Sequence, residues 1–149
     1  MRNMISGCKR WICLAWLCLI PLPGNAATPM IAAGSSDSLF LNADGSVWGT
    51  GNVTNYDLGA TSPVRVLQLP NVAAVATAMG ANFALLADGT LWGSGENGYG
   101  QMGDGTTQYR SQPQQVPGLS IIKAVSPSYH VLALKDDGTV WSWGRNHSG

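Results

Sequence analysis

A five-residue motif, Asp-Gly followed by Ser or Thr, then Val or Leu, then Trp, occurs three times in this chain of 149 residues. The copies begin at Asp44, Asp88 and Asp137, so they start 44 and then 49 residues apart. A nearly fixed period of this size indicates a repeat architecture, in which each supersecondary unit buries its apolar face against a neighbour. The repeat therefore restricts the fold before any single residue suggests a chemistry.

Short apolar runs flank every Asp-Gly pair. The preceding runs are residues 39–41, 83–86 and 131–134, and each motif closes with a second apolar segment that ends in Trp. Asp-Gly between two apolar runs predicts a hairpin, because Gly, and to a lesser degree Asp, tolerates the positive φ of a tight turn. Each repeat is therefore expected to contain at least one antiparallel hairpin.

A further strand is predicted upstream of each hairpin, at residues 30–34, 72–78 and 121–125. The alanines in these runs also suit a helix, but their β-branched residues and their short length favour a strand. A glycine-rich segment, residues 93–106, follows the second Trp. Since each Gly costs a helix about 1 kcal/mol relative to Ala, this segment is expected to form turns and close backbone contacts.

Two longer patterns carry a family resemblance. They are Gly95-x-Asn97-x-x-Gly100-Gln101-Met102-Gly103-x-Gly105-Thr106 and Ala133-Leu134-x-x-Asp137-Gly138-x-Val140-x-x-Trp143-Gly144. Together they resemble the regulator of chromosome condensation repeat family, over nearly all of residues 31–149. The resemblance implies an all-β fold, a β-propeller of about seven blades, each a four-stranded antiparallel sheet.

The chain departs from the family pattern at two repeated positions. Trp143 matches the family's tryptophan before glycine, whereas Thr50 and Ser94 occupy that place in the first two copies. His130 matches the family's histidine, whereas Asp37 and Ala81 align with it. The blades are therefore degenerate copies of the family pattern.

Residues 28–149 hold two full repeats and part of a third, fewer than the four to eight blades with which propellers typically close. We therefore expect an incomplete propeller, that is, a fragment of a longer one. Because unpaired strand edges invite pairing with other chains, the alternative is a ring of several copies in head-to-tail contact.

Residues 1–27 have the layout of a secretory signal peptide. Basic residues precede an apolar stretch, two prolines follow it, and small residues end at Ala26 and Ala27, where cleavage is expected. The apolar stretch is shorter than the roughly 20 residues of a membrane span, so a retained anchor is the less favoured alternative. The pattern predicts a secreted or periplasmic protein of bacterial type, with no membrane association after signal removal.

Loss of the leader changes both the thiol content and the charge. All three cysteines lie within it, so the mature chain would have no disulfide and no cysteine ligand. Three basic residues also leave, and five basic residues against eight acidic ones give a net charge of about −3. Since nucleic-acid affinity depends largely on clustered Lys and Arg, nucleic-acid binding is not expected.

Catalytic and cofactor sites are not evident in residues 28–149. His130 and His147 are the only histidines; His130 is expected to be structural and His147 solvated. The repeated aspartates are explained by turn chemistry, and the three periodic tryptophans by the blade core. The glycine-rich segment lacks the Gly-Lys-Ser/Thr ending of a phosphate-binding loop and the ligand order of a calcium loop. The sequence predicts neither an enzyme, a metal site nor a cofactor.

An exported, non-enzymatic module that binds a protein or a surface ligand is therefore the favoured hypothesis. Tyr99, Tyr109 and Arg110 are the candidate partner-binding residues, because Tyr and Arg are enriched at binding hot spots and these three lie in or beside the long loop. Two alternatives remain. The resemblance implies a guanine-nucleotide exchange or chromatin-associated factor, as in nuclear members of the family, and the chain could also form non-catalytic blades of a larger propeller enzyme.

Export predicts a defined new N-terminus. The protein recovered from the extracellular or periplasmic fraction should begin at Ala27 or Thr28, because small residues precede both bonds. N-terminal sequencing and intact-mass measurement check this, and replacing Ala26 and Ala27 together with Leu should retain the leader. A chain that begins at Met1 and stays in the cytoplasm would contradict the prediction.

Overall fold

The computed structural model describes residues 27–53 and 60–147; apart from Ala27, the predicted leader lies outside the described residues. Eleven strands are described within those ranges. The first four are β1 (Met30–Ala33), β2 (Asp37–Leu41), β3 (Val47–Gly51) and β4 (Ala60–Leu67). The next four are β5 (Val72–Ala78), β6 (Ala81–Leu86), β7 (Leu91–Gly95) and β8 (Arg110–Gln115). The last three are β9 (Ile122–Pro127), β10 (His130–Lys135) and β11 (Val140–Gly144).

The strands form three antiparallel sheets in which neighbours in sequence are neighbours in space. The first sheet has the order β1-β2-β3-β4, the second β5-β6-β7-β8, and the third is three-stranded with β10 in its centre. The predicted all-β architecture, two complete four-stranded blades and part of a third, is therefore confirmed. Within the described ranges, no helix has the length and hydropathy that a membrane crossing requires.

The Asp-Gly pairs form the hairpin turns, and the Asp side chain closes each one. Oδ1 of Asp88 accepts hydrogen bonds from the backbone N–H of Thr90 (2.9 Å) and from its hydroxyl (2.7 Å). The equivalent bonds exist at Asp44 and Asp137. Both hydrogen bonds lower the pKa of the three aspartates below the ordinary value, and the one from the hydroxyl has the larger effect. The repeated Asp thus has a structural role in the turn.

The core lies between the sheets and depends on strand alternation. Leu39, Leu41 and Val47 of the first sheet pack against the second sheet in one buried cluster. The residues at the same repeat positions of the second sheet pack against the third sheet in another; they are Phe83, Leu85 and Leu91. Because a fully buried side chain of this size contributes about 1.5–3 kcal/mol, these two interfaces are a dominant source of stability. Every residue of β6 is buried, since the second sheet is covered on both faces.

The third sheet exposes the same repeat positions. Leu132, Leu134 and Val140 are 40%, 37% and 64% exposed. Trp141 is 50% exposed, so the expectation that all periodic tryptophans lie in the blade core is wrong for this copy. Trp92, by contrast, packs against the cluster between the first and second sheets. The neighbouring sheet, and not the motif alone, decides whether these positions are buried. The head-to-tail association of copies stays a prediction.

Each third strand ends in a glycine that approaches another backbone closely. At Gly95, φ is +96°, and a Cβ atom would lie 2.1 Å from the carbonyl oxygen of Gly80. Gly51 and Gly144, at the same repeat position, also have positive φ and lie against the turn between the first two strands of their sheets. A side chain at this position would push apart two backbone segments that are hydrogen-bonded to each other.

Gly95→Ala should therefore lower the free energy of unfolding by at least about 2 kcal/mol, from steric conflict and left-handed strain. Gly98→Ala is the matched control, since a Cβ atom added there would meet nothing within 4 Å beyond its chain neighbours, and its φ is not left-handed. The control should stay within about 0.5 kcal/mol of wild type. Urea denaturation measures both variants, and equal stabilities would contradict the proposed contact.

Candidate functional site

At one end of the strands, the same backbone arrangement is repeated in all three sheets, and we call this surface the loop face. It contains the turns β1–β2, β5–β6 and β9–β10 and the segments that follow β3, β7 and β11. The N–H groups of Asn52, Glu96 and Arg145 donate to the carbonyls of the facing turns at 3.0, 3.1 and 3.0 Å. The backbone is thus constant, whereas the side chains at the three positions are neutral, acidic and basic.

A group of four side chains lies where the loop faces of the second and third sheets meet. The Arg145 guanidinium carbon lies 5.1 Å from the ring centroid of Tyr99 and 4.9 Å from that of Tyr129. The two tyrosine rings contact each other edge to face at 5.6 Å, and the His147 ring lies 6.4 Å from Tyr99. Tyr99 is 42% and Tyr129 38% exposed. We call these four residues the aromatic–arginine cluster.

The loop that carries Tyr99 is held by buried polar side chains. Asn97 is fully buried; its Oδ1 accepts the N–H of Met102 at 2.9 Å, and its Nδ2 donates to the carbonyl of Thr106 at 3.1 Å. The N–H of Tyr99 itself donates to Oε1 of the buried Gln101 at 2.8 Å. Buried hydrogen-bonded networks of this kind rigidify a segment. Tyr99 is therefore presented by an ordered loop.

Trp143 connects this loop to the third sheet. Its indole N–H donates to the carbonyl of Gln101 at 2.6 Å, and its ring lies against Gly103. This contact fixes the position of Tyr99 on the second sheet relative to Tyr129 and Arg145 on the third. The equivalent residues of the first two repeats are Thr50 and Ser94, so among the three repeats only the third has a tryptophan here.

Arg110 and Asp104 close the other end of the loop. The guanidinium forms an ion pair with the Asp104 carboxylate and donates to the Thr106 hydroxyl at 3.2 Å. Partial burial alone would raise the pKa of Asp104, but the hydroxyl and N–H of Thr106 together with Arg110 lower it to about 2. Asp104 is therefore ionised in the folded protein at neutral pH, and the Arg110 head group takes part in holding the loop.

The three sequence-predicted residues do not lie together. Tyr99 belongs to the aromatic–arginine cluster, and it also lines a shallow cavity of about 320 Å³ with Met79 and Glu96. Arg110 is the first residue of β8 and Tyr109 directly precedes it; both line a smaller cavity of about 80 Å³ with Val53 and Val66. All three stay predictions as partner-binding residues.

Sequence reasoning missed three members of the cluster, namely Tyr129, Arg145 and His147. Alignment of the repeats could have indicated Arg145, because Asn52 and Glu96 occupy its position and the charge changes between copies. His130, expected to be structural, is exposed at the start of β10. Across the described residues, no group of three or more His, Cys, Asp or Glu side chains is arranged to hold a metal ion. The arrangement is suited to binding through aromatic and cationic contacts.

Comparison with known proteins gives the same repeat. Residues 88–134 and 127–149 each match a family described as the regulator of chromosome condensation (RCC1) repeat. The chain is 30% identical to the human E3 ubiquitin-protein ligase HERC2 over 132 residues, which are 80% of this chain and 3% of HERC2. It is 30% identical over 145 residues to RUG3, a mitochondrial RCC1 domain-containing protein of Arabidopsis thaliana, covering 91% of this chain and 32% of RUG3.

The fold is similar to that of yeast RCC1 (Prp20) in its complex with Kap60. The TM-score is 0.68 at 25% sequence identity, and the match covers 85% of this chain and 32% of the yeast chain. The chain thus spans about a third or less of these relatives.

Acid should weaken the loop through Asp104. The pKa of Asp104 is about 2 in the folded protein and near 3.9 in the unfolded chain. The contacts of the ionised carboxylate therefore stabilise the fold fully above about pH 3.9, and this stabilisation is lost as the pH falls through about 2. Asp104→Asn should therefore lower the urea midpoint at neutral pH, and the difference from wild type should shrink between about pH 4 and pH 2.

Asp136→Asn is the control, because Asp136 forms an exposed ion pair with Lys123, and such pairs contribute little. Its effect at neutral pH should be within about 0.5 kcal/mol. An Asp104→Asn variant as stable as wild type at pH 7 would show that the carboxylate does not hold the loop.

Proposed function

Because residues 88–134 and 127–149 match the regulator of chromosome condensation (RCC1) repeat family, we propose that this chain is an exported, non-enzymatic propeller module that binds a protein partner through its loop face. The observation that carries the proposal is the aromatic–arginine cluster. It places two exposed tyrosines and an arginine at one point of an otherwise repeated backbone frame.

The chemistry of the cluster suits protein binding. Tyr and Arg are enriched among residues that dominate binding free energy, and such residues occur in clusters. The hydrogen bonds of Asn97 and Trp143 hold Tyr99 in place before a partner arrives. Binding by a preformed surface avoids most of the entropy cost of ordering side chains and loops. The loop face therefore combines suitable residue types with a low ordering cost.

The family context is consistent with a binding role. The yeast RCC1 (Prp20) structure is that of a complex with Kap60, so a protein that contains a propeller of this fold binds another protein. Export is supported by the layout of residues 1–27, and an acidic mature chain with scattered basic residues is a poor match to a chromatin-associated factor.

The similarity to HERC2 favours a second candidate. HERC2 is a ubiquitin ligase, and the match covers only 3% of its length. Repeats of this kind therefore occur inside a much larger enzyme. By analogy, the present blades would be the non-catalytic part of a longer protein. In that case the loop face would still bind a protein, and the chemistry would lie elsewhere.

Partner capture tests the proposal. The full chain is immobilised, proteins from the matching extracellular fraction are captured, and the captured protein is purified for calorimetric titration. Replacing Tyr99 and Tyr129 together with Ala should raise Kd by roughly 30-fold or more, as expected for loss of hot-spot residues. The thermal midpoint should stay close to that of wild type, because neither side chain belongs to the two buried core clusters.

Trp141→Ala is the matched control, since Trp141 is an exposed aromatic side chain of β11 that lies outside the cluster. It should leave Kd within about threefold of wild type. A Kd that is unchanged in the double variant, or that rises only in Trp141→Ala, would refute binding through the loop face. Turnover of glycans or peptides by the purified full chain would instead refute the non-enzymatic assignment.

A further inference from the structure

We propose that the aromatic–arginine cluster recognises a single carboxylate, presented by an Asp or Glu side chain on an exposed segment of the protein partner. This inference rests on the proposed function and specifies the partner's chemistry at the same surface. It follows from the state of the Arg145 guanidinium, which is held by aromatic rings and lacks an anionic partner among the described residues.

Arg145 differs from most other cations of the described ranges. Arg110, Lys123 and Lys135 each form an ion pair with an aspartate; the partners are Asp104, Asp136 and Asp137. Arg65 is close enough to Asp44 to lower the pKa of that carboxyl. No acidic side chain within residues 27–53 and 60–147 pairs with Arg145. Within the described ranges its charge is therefore not neutralised, and it can attract an incoming anion.

The tyrosine rings position the guanidinium without neutralising it. Attraction between a cation and a ring face contributes about 0.5–1 kcal/mol at an exposed site and leaves the positive charge in place. With both ring centroids about 5 Å from the guanidinium carbon, the side chain loses less freedom when a ligand binds. A guanidinium offers several N–H donors in a planar fork, which matches the two oxygens of a carboxylate.

The fold does not require an arginine at this position. The repeated backbone contact uses only the N–H of residue 145, and Asn52 and Glu96 make the same contact with different side chains. The fold therefore places no requirement on this side chain, and an arginine here can have a role in binding. In the second repeat the equivalent residue is Glu96, which has the opposite charge. Glu96 and Tyr99 line the same shallow cavity of the loop face.

Glu96 also argues against a nucleic-acid ligand. Binding to a phosphate backbone depends on several Lys or Arg contacts, whereas this surface combines one arginine and one histidine with a nearby carboxylate. A single carboxylate anchored on Arg145, with its aliphatic stem against the tyrosine rings, fits the available charge better. A polyanion would meet repulsion from Glu96.

Selection from a random peptide library tests the inference. A phage-displayed library of 12-residue peptides is panned on the full chain, and the strongest binder is synthesised with each Asp or Glu replaced in turn by Asn or Gln. One such replacement should weaken binding by roughly 10-fold or more, the range expected for a hydrogen bond to a charged group. In Arg145→Gln, binding should fall by a similar factor, and the same peptide replacement should then have little further effect.

Two protein variants sharpen the result. Arg145→Lys keeps the charge but loses the planar fork, so it should restore only part of the affinity. Lys123→Gln removes one charge from the third sheet at a site outside the cluster and should leave Kd unchanged within about twofold. Equal effects of Lys123→Gln and Arg145→Gln would reduce the interaction to general charge attraction and overturn the proposal.

The remaining outcomes separate this inference from the proposed function. Selected peptides that need Tyr99 but neither Arg145 nor any carboxylate would overturn carboxylate recognition and leave loop-face binding intact. A 12-nucleotide single-stranded DNA that binds more tightly than the peptides, or self-association by light scattering that Arg145→Gln abolishes, would also overturn it. Failure to select any peptide that depends on Arg145 counts against it, whereas binding through the loop face is judged separately by the captured protein.

Discussion

The apolar contact between neighbouring sheets is the interaction on which the rest of this structure depends. Each sheet directs one set of alternating side chains toward the next, and the second sheet, covered on both faces, buries every residue of β6. Leu132, Leu134 and Val140 of the third sheet occupy the same repeat positions but remain exposed. The stacking of sheets therefore determines which residues form the core and how the loops of adjacent repeats align.

Stacking also turns a repeated backbone into a surface of differing chemistry. The N–H of residues 52, 96 and 145 makes the same hydrogen bond in each sheet, so the backbone geometry of the loop face is constant. Asn, Glu and Arg at these positions give each repeat its own charge. Because Trp143 links the loop of the second sheet to the third, side chains from both repeats reach one cluster. A rigid frame with variable side chains is well suited to binding.

Turn residues and strand residues were predictable because their roles depend on near neighbours in sequence. Asp88 closes its turn with Thr90, two residues away, and the Ala-rich run 72–78 is a strand because its β-branched residues suit a sheet that pairs on one side with β6. The burial of Trp141 was predicted wrongly. Its burial depends on atoms of other strands, and alternation within one strand cannot supply that information.

The sequence by itself determined the repeat, the hairpins and the all-β class, because these follow from local φ preferences and from alternation over a few residues. It also indicated Tyr99, from residue type and loop position. Only the tertiary structure joined Tyr99 to Tyr129 and Arg145, which lie 30 and 46 positions further along the chain. The physical reason is that their proximity arises from the packing of two sheets, whereas each residue alone resembles an ordinary solvated loop side chain.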